Sequence, residues 1–411
     1  MKITLNKEFY NQVLFIICVV IPFFNNYELS FVVWSLATFV TLRKNYYKPF
    51  VKYLAGFLLI FMLSIIVGFF YEHEVYFVIR DITYMLKPIL GLIIGYQLFS
   101  DKIEKPFRFL VYAGVAIASY HLLLVGYGIV IEGARNVRDI RFHAGYFNDF
   151  EVYIFVILLF WKQFDLGFTH KQRIIFLTIL GLSSFFYLAR TNFIQFVILV
   201  MAVKGLLILT KRSLIVIVSS LVFIGISYAL IYSYNPKRNG KGIDEFLYKI
   251  KVAPIEAFST RVNKDNWKEF NDNYRSYENI RTVEQLTLNK TYIFGEGVGA
   301  QVDLKKEIYL GDMLLRKISI LHNGYMTVFL KTGIVGVIIY LYTIFFFFKR
   351  DEKKIPSNLM LTNINYLFVG TGVFLIFSNW VFMGFYNLVD TKSLFIGFLF
   401  AYKNRLLKNN V

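Results

Sequence analysis

His322-Asn323-Gly324-Tyr325 stands where a long polar segment ends and an apolar one, GYMTVFLKTGIVGVIIYLYTIFFFF, begins. A histidine accepts a proton near neutral pH, and amides at a helix N-terminus favour anions. A histidine at such a helix mouth is placed for proton transfer on a substrate held at a membrane surface. Arginines supply a second chemistry, because guanidinium binds phosphate bidentately and stays charged at any relevant pH. Arg135, Arg138 and Arg141 precede His143 in EGARNVRDIRFHAGY, Arg190 sits in LARTN between two apolar runs, and Arg80 lies beside Asp81 at the start of another. Several arginines facing one site would suit a diphosphate head group. Each also has a structural use. Arg80 and Asp81 can pair with neighbouring helices, and Arg135 and Arg138 can be solvated or meet anionic lipid. Arg141, directly before the span entry FHAGYFNDF, and Arg190, in a connection too short to be a solvated loop, are harder to explain that way.

The remaining histidines read as structural. His121 falls inside an apolar run, His170 in a basic loop, and His73 between Glu72 and Glu74, where solvation is expected. No His, Asp or Glu set has metal-ligand spacing, so no metal and no cofactor is expected. The lone Cys18 can form no internal disulfide. The run Gly295-Glu296-Gly297-Val298-Gly299 lacks the Lys-Ser/Thr and the strand-helix context of a nucleotide loop, and reads as a tight backbone turn.

The elements that must position these residues are membrane helices. Of 411 residues, 57% are hydrophobic and 19% aromatic, with mean hydropathy +0.53. That composition defines an all-α polytopic membrane protein. About twelve spans are expected: 9–24, 29–42, 53–70, 82–99, 109–131, 147–162, 174–189, 191–209, 214–234, 323–348, 365–384 and 392–404. The N-terminal run resembles a signal peptide but lacks a small-x-small cleavage site, so it reads as the first span. The net charge of +18 does not imply nucleic acid, because Lys and Arg cluster in alternate short connections. Arg43/Lys44/Lys48/Lys52, Lys102/Lys105/Arg108, Lys162/Lys171/Arg173, Lys211/Arg212 and Lys349/Arg350/Lys353/Lys354 would all be cytoplasmic, together with both termini.

The chain then divides into helices 1–9 over 1–234, a large outer loop over 235–321, and helices 10–12 over 322–411. The loop holds 15 Lys/Arg and 12 Asp/Glu, so it adds little to the net charge. Apolar residues at helical spacing in Asp244-Glu245-Phe246-Leu247-Tyr248-Lys249-Ile250 predict short helices lying on the membrane face. From His322 to Lys349 a helix runs roughly 40 Å, against a hydrocarbon core of roughly 30 Å. It can cross the bilayer with His322 at head-group level, and Lys331 is expected to snorkel to the outer interface.

Taken together, Arg281, GEGVG, His322-Asn323, then Gly333 and Gly336 in TGIVG, with Arg141 before a span entry and Arg190 in a short connection, resemble the O-antigen ligase/O-antigen polymerase superfamily of bacterial inner-membrane glycosyltransferases. The sharpest match covers about 279–348, and the layout extends it to most of the chain. The resemblance implies a multi-pass protein of the inner membrane with its site facing the periplasm. It implies a donor glycan on undecaprenyl diphosphate, an acceptor glycan or lipid A–core, and membrane lipids as surroundings. A chain-length regulator would be a further partner, and nucleic acid would not. By motif, His322 becomes the catalytic residue, and Arg138, Arg141, Arg190 and Arg281 become diphosphate ligands. Asn323, Gly295, Gly297, Gly299, Gly333 and Gly336 become structural motif residues.

The chemistry of the residues agrees with that. A lipid diphosphate leaving group can be stabilised by fixed arginines without a metal, and a sugar hydroxyl benefits from a positioned base. Direct displacement at the anomeric carbon inverts its configuration. The first reading is a polymerase of lipid-linked repeat units, for O-antigen or capsule. The alternative is a ligase moving finished polymer onto lipid A–core. A different class, a lipid-linked oligosaccharide transporter, would usually have short outer loops, and no internal repeat is visible here. A scaffold in which His322 only caps a helix is the plainest alternative.

Overall fold

The structure is a computed structural model. It describes residues 7–408 except 25, 100–102, 136, 146–147, 188, 209, 239–242, 257–258, 260–261, 263–269, 271–272, 311–312, 350–357, 382–383 and 387–389. Arg350, Lys353 and Lys354 therefore lie outside the described residues, as does Lys102. The helices are α1 (Lys7–Val20), α2 (Tyr27–Val40), α3 (Lys48–Gly68), α4 (Val75–Leu98), α5 (Pro106–Val130), α6 (Val137–Ala144), α7 (Asp149–Leu159), α8 (His170–Tyr187), α9 (Arg190–Val203), α10 (Lys211–Tyr234), α11 (Ile243–Glu256) and α12 (Tyr274–Leu288). Strands β1 (Val302–Leu310) and β2 (Met313–Ile318) follow, then α13 (Gly324–Phe345), α14 (Leu359–Val381) and α15 (Lys392–Lys408).

Of the described residues, 76% are helical. Among the described residues, five helices are long and apolar enough to cross a membrane: Lys48–Gly68, Pro106–Val130, Ser213–Tyr234, Gly324–Phe348 and Leu359–Val381. Three shorter apolar helices accompany them, Glu8–Phe24, Tyr27–Val40 and Arg190–Val203. Helix α4 has a spanning length of 24 residues but carries Arg80, Asp81 and Lys87. The core lies where α4 packs along α15, and where α13 packs on α3 and α14 on α9. Small residues let α4 and α15 approach closely: a Cβ on Gly397 would lie 2.1 Å from the Leu92 carbonyl oxygen. Such contacts replace the hydrophobic driving force that lipid does not supply between helices.

Helix α13 is broken. Gly333 takes φ 61°, ψ −162°, a conformation open essentially to glycine alone. Breaking a helix frees amides and carbonyls that water cannot satisfy inside a bilayer. Here the loop after α12 satisfies them. Glu296 N donates to Leu330 O (2.9 Å) and Gly297 N to Lys331 O (3.1 Å), while Ile334 N donates to Tyr292 O (2.9 Å) and Val335 N to Ile293 O (3.3 Å). Gly295, at φ 75°, makes that loop tight enough to fit, and a Cβ there would lie 2.7 Å from Gly333 N.

The break also decides the fate of Lys331. Its side chain does not snorkel; it is buried, 2.5 Å from Asp81 Oδ2 of α4, and donates to Ala300 O. Asp81 accepts a further bond from Gly299 N at 2.7 Å. The sequence places Lys331 at interfacial depth, but the helix break turns it inward, against a carboxylate that no local pattern connects to it. Lys331→Met is expected to destabilise the protein by about 3–5 kcal/mol, because it strands a buried carboxylate. The thermal midpoint of the detergent-solubilised protein measures this, and adding Asp81→Leu should restore part of the loss.

Segment 235–321 contains α11 and α12, as its helical spacing predicts, and also an antiparallel hairpin that a helices-only reading misses. The hairpin follows from period-2 alternation: Val302, Leu304 and Ile308 are buried, whereas Lys305 and Tyr309 are exposed. Those residues join Tyr277 and Leu286 of α12, and Leu321 and Leu330 beside and on α13, in one small core. The segment is thereby continuous with the membrane helix it precedes. On its outer face Asp303 binds Arg316 Nε (3.2 Å), and that guanidinium holds its carboxyl well below the usual range.

Candidate active site

The turn before α13 fixes His322 by local bonds. Asn323 caps the helix, its Oδ1 accepting from Tyr325 N (3.0 Å) and Met326 N (3.2 Å). Thr327 Oγ1 accepts from Leu321 N at 3.1 Å and donates back to Asn323 O at 3.2 Å. The chain on both sides of His322 is thus tied to the first turn of α13. Gly324 and Asn323 are buried, while the His322 side chain keeps 32% of its surface open.

Glu278, on α12, completes the arrangement. Its carboxylate lies 3.0 and 3.1 Å from His322 Nδ1, and its Oε2 also accepts from His322 N at 3.0 Å. A carboxylate with two such bonds orients the ring and assigns the proton to Nδ1, leaving the Nε2 lone pair as the acceptor. Glu278 itself is 1% exposed. Tyr274, one turn earlier on α12, meets the imidazole edge-on with ring centroids 5.8 Å apart. Burial, reinforced by the Glu278 carboxylate, pushes the Tyr274 phenol far above its ordinary range, so it stays protonated. Sequence reasoning missed Glu278. The available signal was an acidic residue sharing the buried face of α12 with Tyr274, Tyr277 and Thr282.

The arginines fall into two groups. Arg281 and Arg80 belong to the elements around His322. Arg281, three residues after Glu278, is an ion-pair partner of Glu284 and donates from Nε to Asp303 O (3.2 Å), which docks α12 on β1. Arg80 donates to Ser319 Oγ, three residues before His322, and lies over the Phe77 ring at 4.8 Å. Arg141 and Arg190 stand on other elements. Arg141 is in the last turn of α6, which packs on α5 and α8. Arg190 is the exposed first residue of α9, a helix that packs mainly on α14 and α7. The Arg138 side chain lies outside the described residues. His143, beside Arg141 on α6, approaches Gly128 of α5.

The glycine motif is a clamp. Gly295 meets the break at Gly333, a Cβ on Gly297 would lie 2.2 Å from Gly68 N, and Gly299 donates to Asp81. Gly336, buried one turn on, faces Thr332. The carboxylate of Glu296 is held by Gln285 (2.7 Å) of α12 and by Asn289 (2.7 Å), the residue that caps that helix. His73 is not a solvated loop residue: its Nε2 lies 2.9 Å from Glu296 O, so the connection between α3 and α4 joins the clamp. His121 is buried, with Nδ1 2.8 Å from Ser183 Oγ, which donates to Glu151 at 2.5 Å. Another internal pair, Lys392–Asp149 at 2.5 Å, ties α15 to α7. No group of three or more potential metal ligands occurs among the described residues.

No protein-family model matches the chain, and no curated protein does either. The functional reading therefore rests on these residues and their geometry.

Proposed function

We propose that the protein is a glycosyltransferase of the O-antigen polymerase–ligase type, acting as a polymerase of glycans carried on undecaprenyl diphosphate. The observation that carries this reading is the Glu278–His322 pair: a buried carboxylate orienting a half-open histidine at the mouth of a membrane helix. In this reading about twelve spans place 235–321 and His322 at the periplasmic face of the inner membrane, with both termini cytoplasmic. His322 Nε2 takes the proton of an acceptor hydroxyl while that oxygen bonds to the anomeric carbon of the donor. The bond from that carbon to the diphosphate oxygen breaks, and the electron pair leaves with undecaprenyl diphosphate. Arg141 and Arg190, with Arg138 and Arg281, stabilise the departing charge in place of a metal. The anomeric configuration inverts.

The test uses the solubilised full chain and an undecaprenyl-diphosphate oligosaccharide. Wild type should lengthen the glycan, and Glu278→Gln should slow that by about 10²-fold, since the histidine loses its orienting carboxylate. Its pH–rate profile should shift as well, which a merely structural role for Glu278 would not produce. Transfer to lipid A–core without lengthening would replace the polymerase by the ligase. Product keeping the donor's anomeric configuration would exclude single displacement.

A further inference from the structure

Helix α10 is unlike the other spanning helices. Its window of strongest hydropathy has no residue buried within the protein, whereas the other four spans bury between 39% and 67%. Its main packing partner is α11, and it stands off from α9 and α14. At its N-terminal end the separation leaves an open-sided cavity of about 710 Å³ between α9, α10 and α14. That volume falls in the range of ligand sites. The cavity lies at the opposite end of the bundle from His322, because α13 leads away from His322 and α14 begins where the chain turns back.

The lining has two characters. Val203, Leu206, Val216 and Leu359 form an apolar wall that continues onto the bare face of α10. Lys204 stands at the polar side, with Lys211 at the next helix start; both are exposed, and neither has an ion-pair partner among the described residues. The first turn of α10, a 24-residue helix capped by Thr210, adds partial positive charge to the same end. The site thus asks for an anion with an attached hydrocarbon chain.

We propose that this cavity binds one anionic glycerophospholipid of the phosphatidylglycerol class. Its phosphate sits by Lys204 and the α10 N-terminus, and an acyl chain lies in the gap between α10 and α14. A soluble phosphate would leave the apolar wall uncovered, and a zwitterionic head group would forfeit the net attraction to two lysines. The lipid thereby supplies the packing that α10 lacks. This inference does not depend on the glycosyltransferase reading.

The test is native mass spectrometry of the detergent-purified full chain titrated with phosphatidylglycerol, phosphatidylethanolamine or glycerol 3-phosphate. Wild type should retain one phosphatidylglycerol in preference to phosphatidylethanolamine and should not retain glycerol 3-phosphate. Lys204→Glu should weaken retention about tenfold or more, as reversal of one charge near a head group implies. Val216→Trp, which fills the cavity from a half-exposed position on α10, should abolish it, and it carries the test if Lys204→Glu fails to fold. Lys171→Glu, an exposed basic residue at the start of α8, should leave retention unchanged. The proposal falls if both cavity variants bind as wild type does or if the two phospholipids bind equally. It also falls if glycerol 3-phosphate alone binds, or if wild type forms a lipid-free dimer.

Discussion

His322→Ala is expected to lower glycan transfer by about 10²–10⁴-fold, the usual contribution of a positioned acid–base group. Three observations make the effect large. The ring is oriented by a buried carboxylate through both its Nδ1 and its own backbone amide. The turn carrying it is tied to α13 by Asn323 and Thr327, so Nε2 keeps its direction without help from substrate. The neighbouring Tyr274 phenol is held protonated and cannot substitute as base. The fold should survive, because the imidazole is partly open and Asn323, not His322, caps the helix. Two readouts check this: the rate of transfer from an undecaprenyl-diphosphate donor, and the ladder of products in cells. Full-length product from a normally expressed His322→Ala protein would remove the residue from the mechanism and leave a structural role for it, through its bonds to Glu278, as the better reading. Glu278→Gln should fall between wild type and His322→Ala, since its action passes through the histidine.

Gly333→Val should prevent assembly of the end of the bundle that carries His322 rather than impair chemistry. Its backbone conformation is closed to β-branched residues, which sets a strain of about 1–3 kcal/mol before any contact is counted. A Cβ at Gly333 would then lie 2.2 Å from the carbonyl carbon and oxygen of Ile293. Those are backbone atoms of the loop that accepts from Ile334 and Val335, so relief by rotating a side chain is unavailable. Moving the loop would break the bonds that satisfy the interrupted helix and would pull Gly299 from Asp81. The expected result is loss of the monodisperse peak in size-exclusion chromatography, with little folded protein recovered. Gly126→Ala, in α5 where an added Cβ meets nothing within 4 Å, is the control and should be neutral or slightly stabilising. A Gly333→Val protein with wild-type yield and thermal midpoint would refute the clamp.

The amino-acid sequence by itself determined the class of protein, because hydropathy over a helix length and the punctuation around it are local properties. The apolar runs became helices, and His322 was legible as the last residue before one. The glycines of 295–299 were legible as a turn, since no other residue type tolerates that density of positive φ. What only the tertiary structure decided is who meets whom. Glu278 is 44 residues from His322, and Asp81 is 250 from Lys331, so no periodicity links either pair. Lys331 looked like a snorkelling lysine because its depth along a straight helix was computable and the break at Gly333 was not. The hairpin depends on α12 packing across Val302, Leu304 and Ile308, a contact that no local pattern contains. His322 was visible as a candidate base from its position, but its orientation depends on a carboxylate that only folding brings to it.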